Sequence, residues 1–161
     1  MDGLLQPNTP AGADRNARHA GKVVRVAEQL RGRKSTAPLS RQKRVVSHQV
    51  PKVHDKKHTD EKIDLLDFDE VIEIDPERRI CIAEPGVPFC KLVDRTLPLG
   101  LVPIVVPELK TITIGGAVAG CSIESMSYAY GGFHDTCIEY EIITAKGDVL
   151  TCTPDDEHSL I

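Results

Sequence analysis

The period of the apolar residues changes along this chain, and each change marks an element. In "CIEYEIITAKGDVLTCT" apolar and polar residues alternate, pause at Lys146-Gly147-Asp148 and alternate again. A period of two interrupted by a glycine turn predicts a β-hairpin over residues 136–153. "DEVIEIDPERRICIAEPGV" predicts a second pair of strands. Val71, Ile72 and Ile74 lead into Asp75-Pro76-Glu77-Arg78, where proline suits the second position of a tight turn, and Ile80 and Ile82 lead out until Glu84-Pro85-Gly86 breaks the strand. The period then lengthens. Pro88 followed by Phe89, Leu92 and Val93 predicts a helix start. "GLVPIVVPEL" is apolar but carries Pro103 and Pro107, so it is extended chain or an edge segment rather than a central strand.

Before this body the pattern is weaker. Residues 1 to about 16 are rich in Pro, Gly, Asn and Asp and are expected to lack order. From Ala17 to about Arg31, Val23, Val24, Ala27 and Leu30 recur at helical steps, predicting a short basic amphipathic helix ended by Gly32. "RVVSHQVPK" reads as a short strand closed by Pro51, and "HDKKHTDEK" as a polar loop. His54 and His58 stand four apart, but the lysines between them favour a solvated loop over a metal pair. The folded body is expected to begin near Ile63. This divides the chain into a basic N-terminal tail with a short helix, residues 1–44, and a domain over residues 45–161.

Composition adds bounds. The chain has 161 residues, 40% apolar and 27% charged, in the range of globular proteins. Residues 1–62 hold 14 Lys/Arg against 6 Asp/Glu, a net of +8, whereas residues 63–161 hold 6 against 18, a net of −12. A basic arm can mean nucleic acid or an anionic surface. No nucleic-acid motif accompanies the charge, so the favoured reading is that the arm is solvated and contacts the acidic body, with no nucleic acid as partner. Cys81, Cys90, Cys121, Cys137 and Cys152 show neither a CxxC pair nor disulfide spacing, which points to a reducing, cytoplasmic setting and no metal. No apolar run approaches a membrane span, and the N-terminus does not read as a secretion signal.

Candidate chemistry is concentrated in "TITIGGAVAGCSIESMSYAYGGFHD". Glycine lets main chain approach a ligand closely, and N–H groups at a glycine turn or helix start can cradle phosphate oxygens. The spacing matches neither G-x-x-x-x-G-K-[ST] nor G-x-G-x-x-G. On the residues alone, a close-packed structural turn is the default reading and a ligand cradle the alternative. His134, beside Gly132 and Asp135, reads as a turn or capping histidine.

Residues 45–161 taken in order resemble the FAD-binding domain of the vanillyl-alcohol oxidase/PCMH superfamily, within it the delta-24 sterol reductase (Diminuto) branch. The likeness is carried by "AEPGV", then "GLVPIVVPEL", then "TIGG", then "ESMSYAYG", then the hairpin "YEIITAKGDVL". It implies an α+β, PCMH-type FAD-binding fold. It also implies that Thr113, Ile114, Gly115, Gly116, Ala117, Val118, Ala119, Gly120, Cys121, Ser122, Ile123, Glu124 and Ser125 lie along FAD. Glu124 would accept from a ribose hydroxyl or a flavin N–H, or else serve as a surface or helix-start acid.

The departures carry expectations too. An R-G-G-G-x-S-like loop is absent where "RVVSHQVPK" stands, and His48 is a weak anchor for covalent flavin, so non-covalent FAD is expected. The chain stops at "CTPDDEHSLI", where relatives continue into a further glycine-rich motif and a substrate domain. The expectation is a domain incomplete at its C-terminus, inactive alone, with a second chain as a possible partner. The complete enzyme would move a hydride between a substrate carbon and flavin. Reduction of a sterol side-chain double bond with NADPH, and oxidation of an alcohol, are both allowed. No catalytic residue is assigned. The alternative is a non-catalytic fragment or pseudoenzyme, and a nucleic-acid-binding protein ranks last.

Overall fold

Thr9 and Pro10 start the first element. The Thr9 hydroxyl accepts from Gly12 N at 3.0 Å, Pro10 occupies the first helical turn, and helix α1 then runs Pro10–Arg31 to a Gly32 cap whose N–H reaches Glu28 O. The protein is represented by a computed structural model that describes residues 6–44 and 60–155. The expectation of disorder to residue 16 is therefore corrected from Pro10 onward. What extends the helix is tertiary. The buried Glu73 carboxylate accepts from Asn8 N, Thr9 N and Thr9 Oγ1 at 2.9, 3.3 and 3.2 Å, placing negative charge at the positive end of the helix. A side chain at Gly12 would collide with that carboxylate. The apolar stripe is also shifted by one position. Val23, Val26 and Ala27 are buried and Val24 is exposed.

The strands form three two-stranded sheets. Strand β1, Leu39–Gln42, pairs in parallel with β2, Glu61–Asp64. Neither was expected, and β2 takes Glu61 and Lys62 out of the anticipated polar loop. The rest of that loop with His54 and His58, and the anticipated strand 44–52 with His48 beyond Arg44, lie outside the described residues. Strand β3, Val71–Asp75, and β4, Ile80–Ala83, form the expected antiparallel hairpin, with a register shift between Val71 and Glu73. Asp75 Oδ1 builds its turn by accepting from Glu77 N and Arg78 N at 3.0 and 2.9 Å.

Helix α2, Phe89–Thr96, begins after Pro88 as the spacing predicted, and a 3-10 turn, Leu97–Leu99, follows it. Residues 101–109 carry no regular secondary structure and bend at 104–105 and 108–109, with Val105 fully buried. Two short helices, α3 (Ile114–Ala119) and α4 (Ser127–Tyr130), precede a 3-10 turn at Phe133–Thr136. The C-terminal hairpin is narrower than expected, with β5 at Tyr140–Ile143 and β6 at Val149–Cys152. Its Gly147 has φ +82°, and a Cβ there would stand 2.6 Å from Ala27 O of α1. Only glycine satisfies both demands.

Two apolar clusters hold these pieces. Val71, Val87, Phe89, Leu92, Val105, Ala117 and Phe133 form the larger, with Phe89 and Phe133 packed edge to face at 4.9 Å. Val23, Val26, Ile63 and Phe68, joined by Ile143, form the smaller, under α1. The remaining contacts of α1 are polar. Arg15 donates to Ile72 O, Arg18 pairs with Glu70, and Arg25 pairs with Asp67. The basic residues of α1 thus lie against the acidic body, as the charge of the arm suggested. Among the described residues no helix is long and apolar enough to cross a membrane.

Phe89 is 1% exposed at the centre of the larger cluster. Phe89→Ala is expected to cost about 3–5 kcal/mol in urea denaturation, the transfer loss and the cavity together. A loss below about 1 kcal/mol would show that this cluster is not the core.

Candidate functional site

The glycine stretch is built onto a strap formed by Glu84-Pro85-Gly86-Val87. Pro88 and Thr113 pair as an isolated antiparallel bridge, and Phe89 N and Cys90 N donate to Ile112 O and Lys110 O at 2.9 and 3.0 Å. Ile114 N then donates to Val87 O and Gly115 N to Pro85 O, both at 2.9 Å. On its other side the strap meets the chain before β3. Gly86 N donates to Phe68 O at 2.7 Å, and a Cβ on Gly86 would collide with that carbonyl. The sequence Glu-Pro-Gly, which ends a strand, is here the seat of α3.

The two adjacent glycines are not equivalent. A Cβ on Gly115 would stand 2.6 Å from Pro85 Cβ and 3.1 Å from Pro85 O, so close packing against the strap requires glycine there. Gly116 faces outward, and an added Cβ would meet only its own cap, Thr113 Oγ1, at 3.0 Å. No packing against the body demands its missing side chain. Its bare main chain forms part of an open surface.

Helix α3 is not an anion cradle at its start. Ile114 N and Gly115 N are spent on the strap, Gly116 N on Thr113 Oγ1, and Ala117 N on Thr113 O. The structural reading therefore holds for that turn. The polar capacity lies at the other end. Gly120 caps the helix, Cys121 reverses the chain with φ +49°, and Ser122 is fixed by its N–H to Ala117 O and by Phe133 N to its carbonyl. Beyond it, among the described residues, the N–H groups of Ile123, Ser125 and Met126 and the hydroxyls of Ser122 and Ser125 meet no protein partner.

The thirteen residues singled out in the sequence thus divide by face. Thr113 and Ala117 are buried, and Ile114 and Val118 pack on the larger cluster. Gly116, Ala119, Gly120, Cys121, Ile123 and Ser125 are exposed. Glu124 lies between these roles. Its carboxylate accepts from Glu108 N at 3.4 Å, tying this loop to residues 101–109, while its N–H donates to Ser127 Oγ at the start of α4. His134 sits against Gly132, with Nε2 3.4 Å from Asp135 Oδ1 and a buried Nδ1 that has no partner. Exposed Ile123 and Tyr128, 78% and 87% accessible, give the face apolar area beside its donors. A small recess lies elsewhere, between Asn8, Glu73 and Ile82. Buried thiols take no part. Burial pushes Cys81 up to about 11, partly opposed by Arg95, and raises Cys137 as well.

Sequence reasoning missed the group behind the strap. Glu84 is fully buried. Its Oε1 lies 3.0 Å from His19 Nδ1 and 2.9 Å from Lys22 Nζ, and its Oε2 accepts from Lys22 Nζ and Glu70 N at 2.9 and 2.7 Å. His19 Nε2 reaches Glu141 Oε1 of β5 at 3.3 Å. Burial alone would raise the Glu84 carboxyl, but His19, Lys22 and the Glu70 N–H hold it below the ordinary range. A signal was available in the basic run Arg15, Arg18, His19, Lys22 and Arg25, which recurs at helical steps on one face of α1.

The family described as FAD binding domain matches residues 20–153. A Delta(24)-sterol reductase of Arabidopsis thaliana is 32% identical over 148 residues, 90% of this chain and 26% of the relative. That of Pisum sativum is 40% identical over 98 residues, 61% of this chain and 17% of the relative, and that of Homo sapiens 35% over 105 residues, 65% and 20%. The chain therefore spans about a quarter or less of these relatives. Among solved structures, 6-hydroxy-D-nicotine oxidase of Arthrobacter nicotinovorans superposes with a TM-score of 0.65 at 18% identity, covering 87% of this chain and 29% of its own. That likeness concerns the fold, which is α+β and of the PCMH-type FAD-binding class, its N-terminal part, as the motif order implied.

The two glycines supply a paired test. Gly115→Ala should destabilise the protein by about 1–3 kcal/mol in thermal or urea denaturation, because Pro85 has nowhere to move. Gly116→Ala should change stability by less than about 1 kcal/mol, helix propensity offsetting any crowding of Thr113. Equal losses at both positions would refute the division.

Proposed function

The chain belongs to the FAD-binding domain family, an oxidoreductase family that includes Delta(24)-sterol reductases, and we propose that Thr113–Ser125 holds FAD without a covalent bond and orients it for hydride transfer. The observation that carries this reading is Gly116: an exposed glycine, beside one that packing does explain, in the same short segment as the partnerless N–H groups of Ile123, Ser125 and Met126. Ser122 and Ser125 with the N–H groups of Ile123, Ser125 and Met126 would meet the polar parts of the cofactor, and Ile123 its apolar parts. When bound, the flavin supplies the redox chemistry, and this segment supplies its seat and orientation.

For the substrate, the sterol reductases among the relatives support a reaction on a sterol-like side-chain double bond by the complete enzyme. Five free cysteines support a reducing, cytoplasmic location.

The test is the visible absorption spectrum of the purified chain after incubation with FAD and desalting. The expected result is a retained, shifted flavin spectrum that is released by acid precipitation and absent in Gly116→Leu at unchanged fold by circular dichroism. Wild-type protein that is folded but colourless, or flavin that stays with the acid precipitate, would overturn the binding or the non-covalent part respectively.

A further inference from the structure

We propose that His19, Lys22 and Glu84 are positioning residues for the glycine helix, so that α1 sets the geometry of the face that α3 presents. This rests on the reading of that face as the cofactor seat.

The connection is continuous in the structure. His19 and Lys22 are one turn apart on α1 and both reach the buried Glu84 carboxylate. Glu84 is joined by one peptide bond to Pro85, whose carbonyl accepts from Gly115 N and whose ring fills the space where Gly115 lacks a side chain. The main chain of Glu84 is itself held, N–H to Glu70 O, and its Oε2 takes the N–H of Glu70. Moving Glu84 therefore moves Pro85, and moving Pro85 moves the first turn of α3. The rest of that turn's seat belongs to the same strap, since Ile114 N donates to Val87 O, and Gly86 between them is fixed against Phe68 O.

The charges around His19 make the link sensitive to protonation. From β4 it faces Glu84, and from β5 Glu141. Along α1, Lys22 shares Glu84, Arg18 pairs with Glu70, and Arg25 pairs with Asp67, while the Phe68 ring packs edge-on against the imidazole at 5.8 Å. A protonated imidazole donates through both ring nitrogens and serves both carboxylates. A neutral one has a single N–H and must leave one carboxylate facing a lone pair. The Glu141 hydrogen bond, then that of Glu84, raise the histidine to about 9 against its ordinary 6.5. Since the folded value is the higher, the contribution is complete below 6.5 and is lost as pH rises through about 9.

The experiment is carbon-detected NMR on the whole chain from pH 6 to 10.5, following His19 Cε1 together with the Cα shifts of Pro85, Gly115 and Gly116. The expected result is that all four change with one midpoint near 9, the value set by the two carboxylates. Glu141→Gln, which removes the more exposed carboxylate, should move that common midpoint downward, and His19→Gln should abolish the transition at Pro85 and Gly115. Where FAD binds, His19→Gln should weaken it about 5-fold or more at pH 7. Flat Pro85 and Gly115 shifts while His19 titrates would overturn the proposal. So would a transition that persists in His19→Gln, or equal FAD affinity of the two proteins. If wild-type chain binds no FAD at any pH, the functional reading fails, and the carbon shifts still decide whether α1 positions α3. Should His19→Gln fail to fold, the midpoint in Glu141→Gln decides alone.

Discussion

A carboxylate cannot be taken fully out of water unless its charge and its lone pairs are met, since removal alone costs on the order of several kcal/mol. Glu84 is in that position, and four donor contacts meet it: His19, Lys22 twice, and Glu70 N. Those donors come from α1 and from the entry to β3, and His19 extends the set to β5. Because an uncompensated charge here is far less favourable than a compensated one, the elements that carry these donors must assemble in one arrangement. The apolar clusters supply the driving force for collapse, and the buried carboxylate adds directional contacts to α1.

The same residue stands where the two apolar clusters come closest along the chain. Val87 and Ala117 belong to the larger cluster and Phe68 to the smaller, and the Glu84–Val87 strap runs between them. Its hydrogen bonds consume the first amides of α3 on one side and the Phe68 carbonyl on the other. Two glycines, Gly86 and Gly115, exist because backbone approaches backbone or proline ring there. Gly116 meets neither, an added Cβ there reaching only Thr113 Oγ1 of its own helix cap.

The exposed apolar residues of the site region follow from the same economy of contacts. A sheet or loop buries its apolar face only where a partner element exists, and Ile123 and Tyr128 have none among the described residues. The matched relatives are several times longer than this chain, and the fold they share with it is seen here over its N-terminal part.

Much of this was legible in the sequence. The period-two runs around Asp75-Pro76 and Lys146-Gly147 and the helix after Pro88 are local patterns, and local sterics decide them, so both hairpins and α2 stand where the spacing placed them. The order of the motifs identified the family whose model matches the chain. Three things were not legible. The start of helix α1 is anchored by Glu73, more than sixty residues away, which accepts from the N–H groups of Asn8 and Thr9. Gly115 and Gly116 look alike in the sequence, and only Pro85 tells them apart. Glu84, followed by Pro-Gly, reads as the end of a strand, yet becomes the buried charge on which α1, β5 and the strap converge. Periodicity reports which way a side chain points relative to its neighbours in the chain. It carries no information about which distant group arrives to meet it, and for a buried charge that arrival is what decides its role.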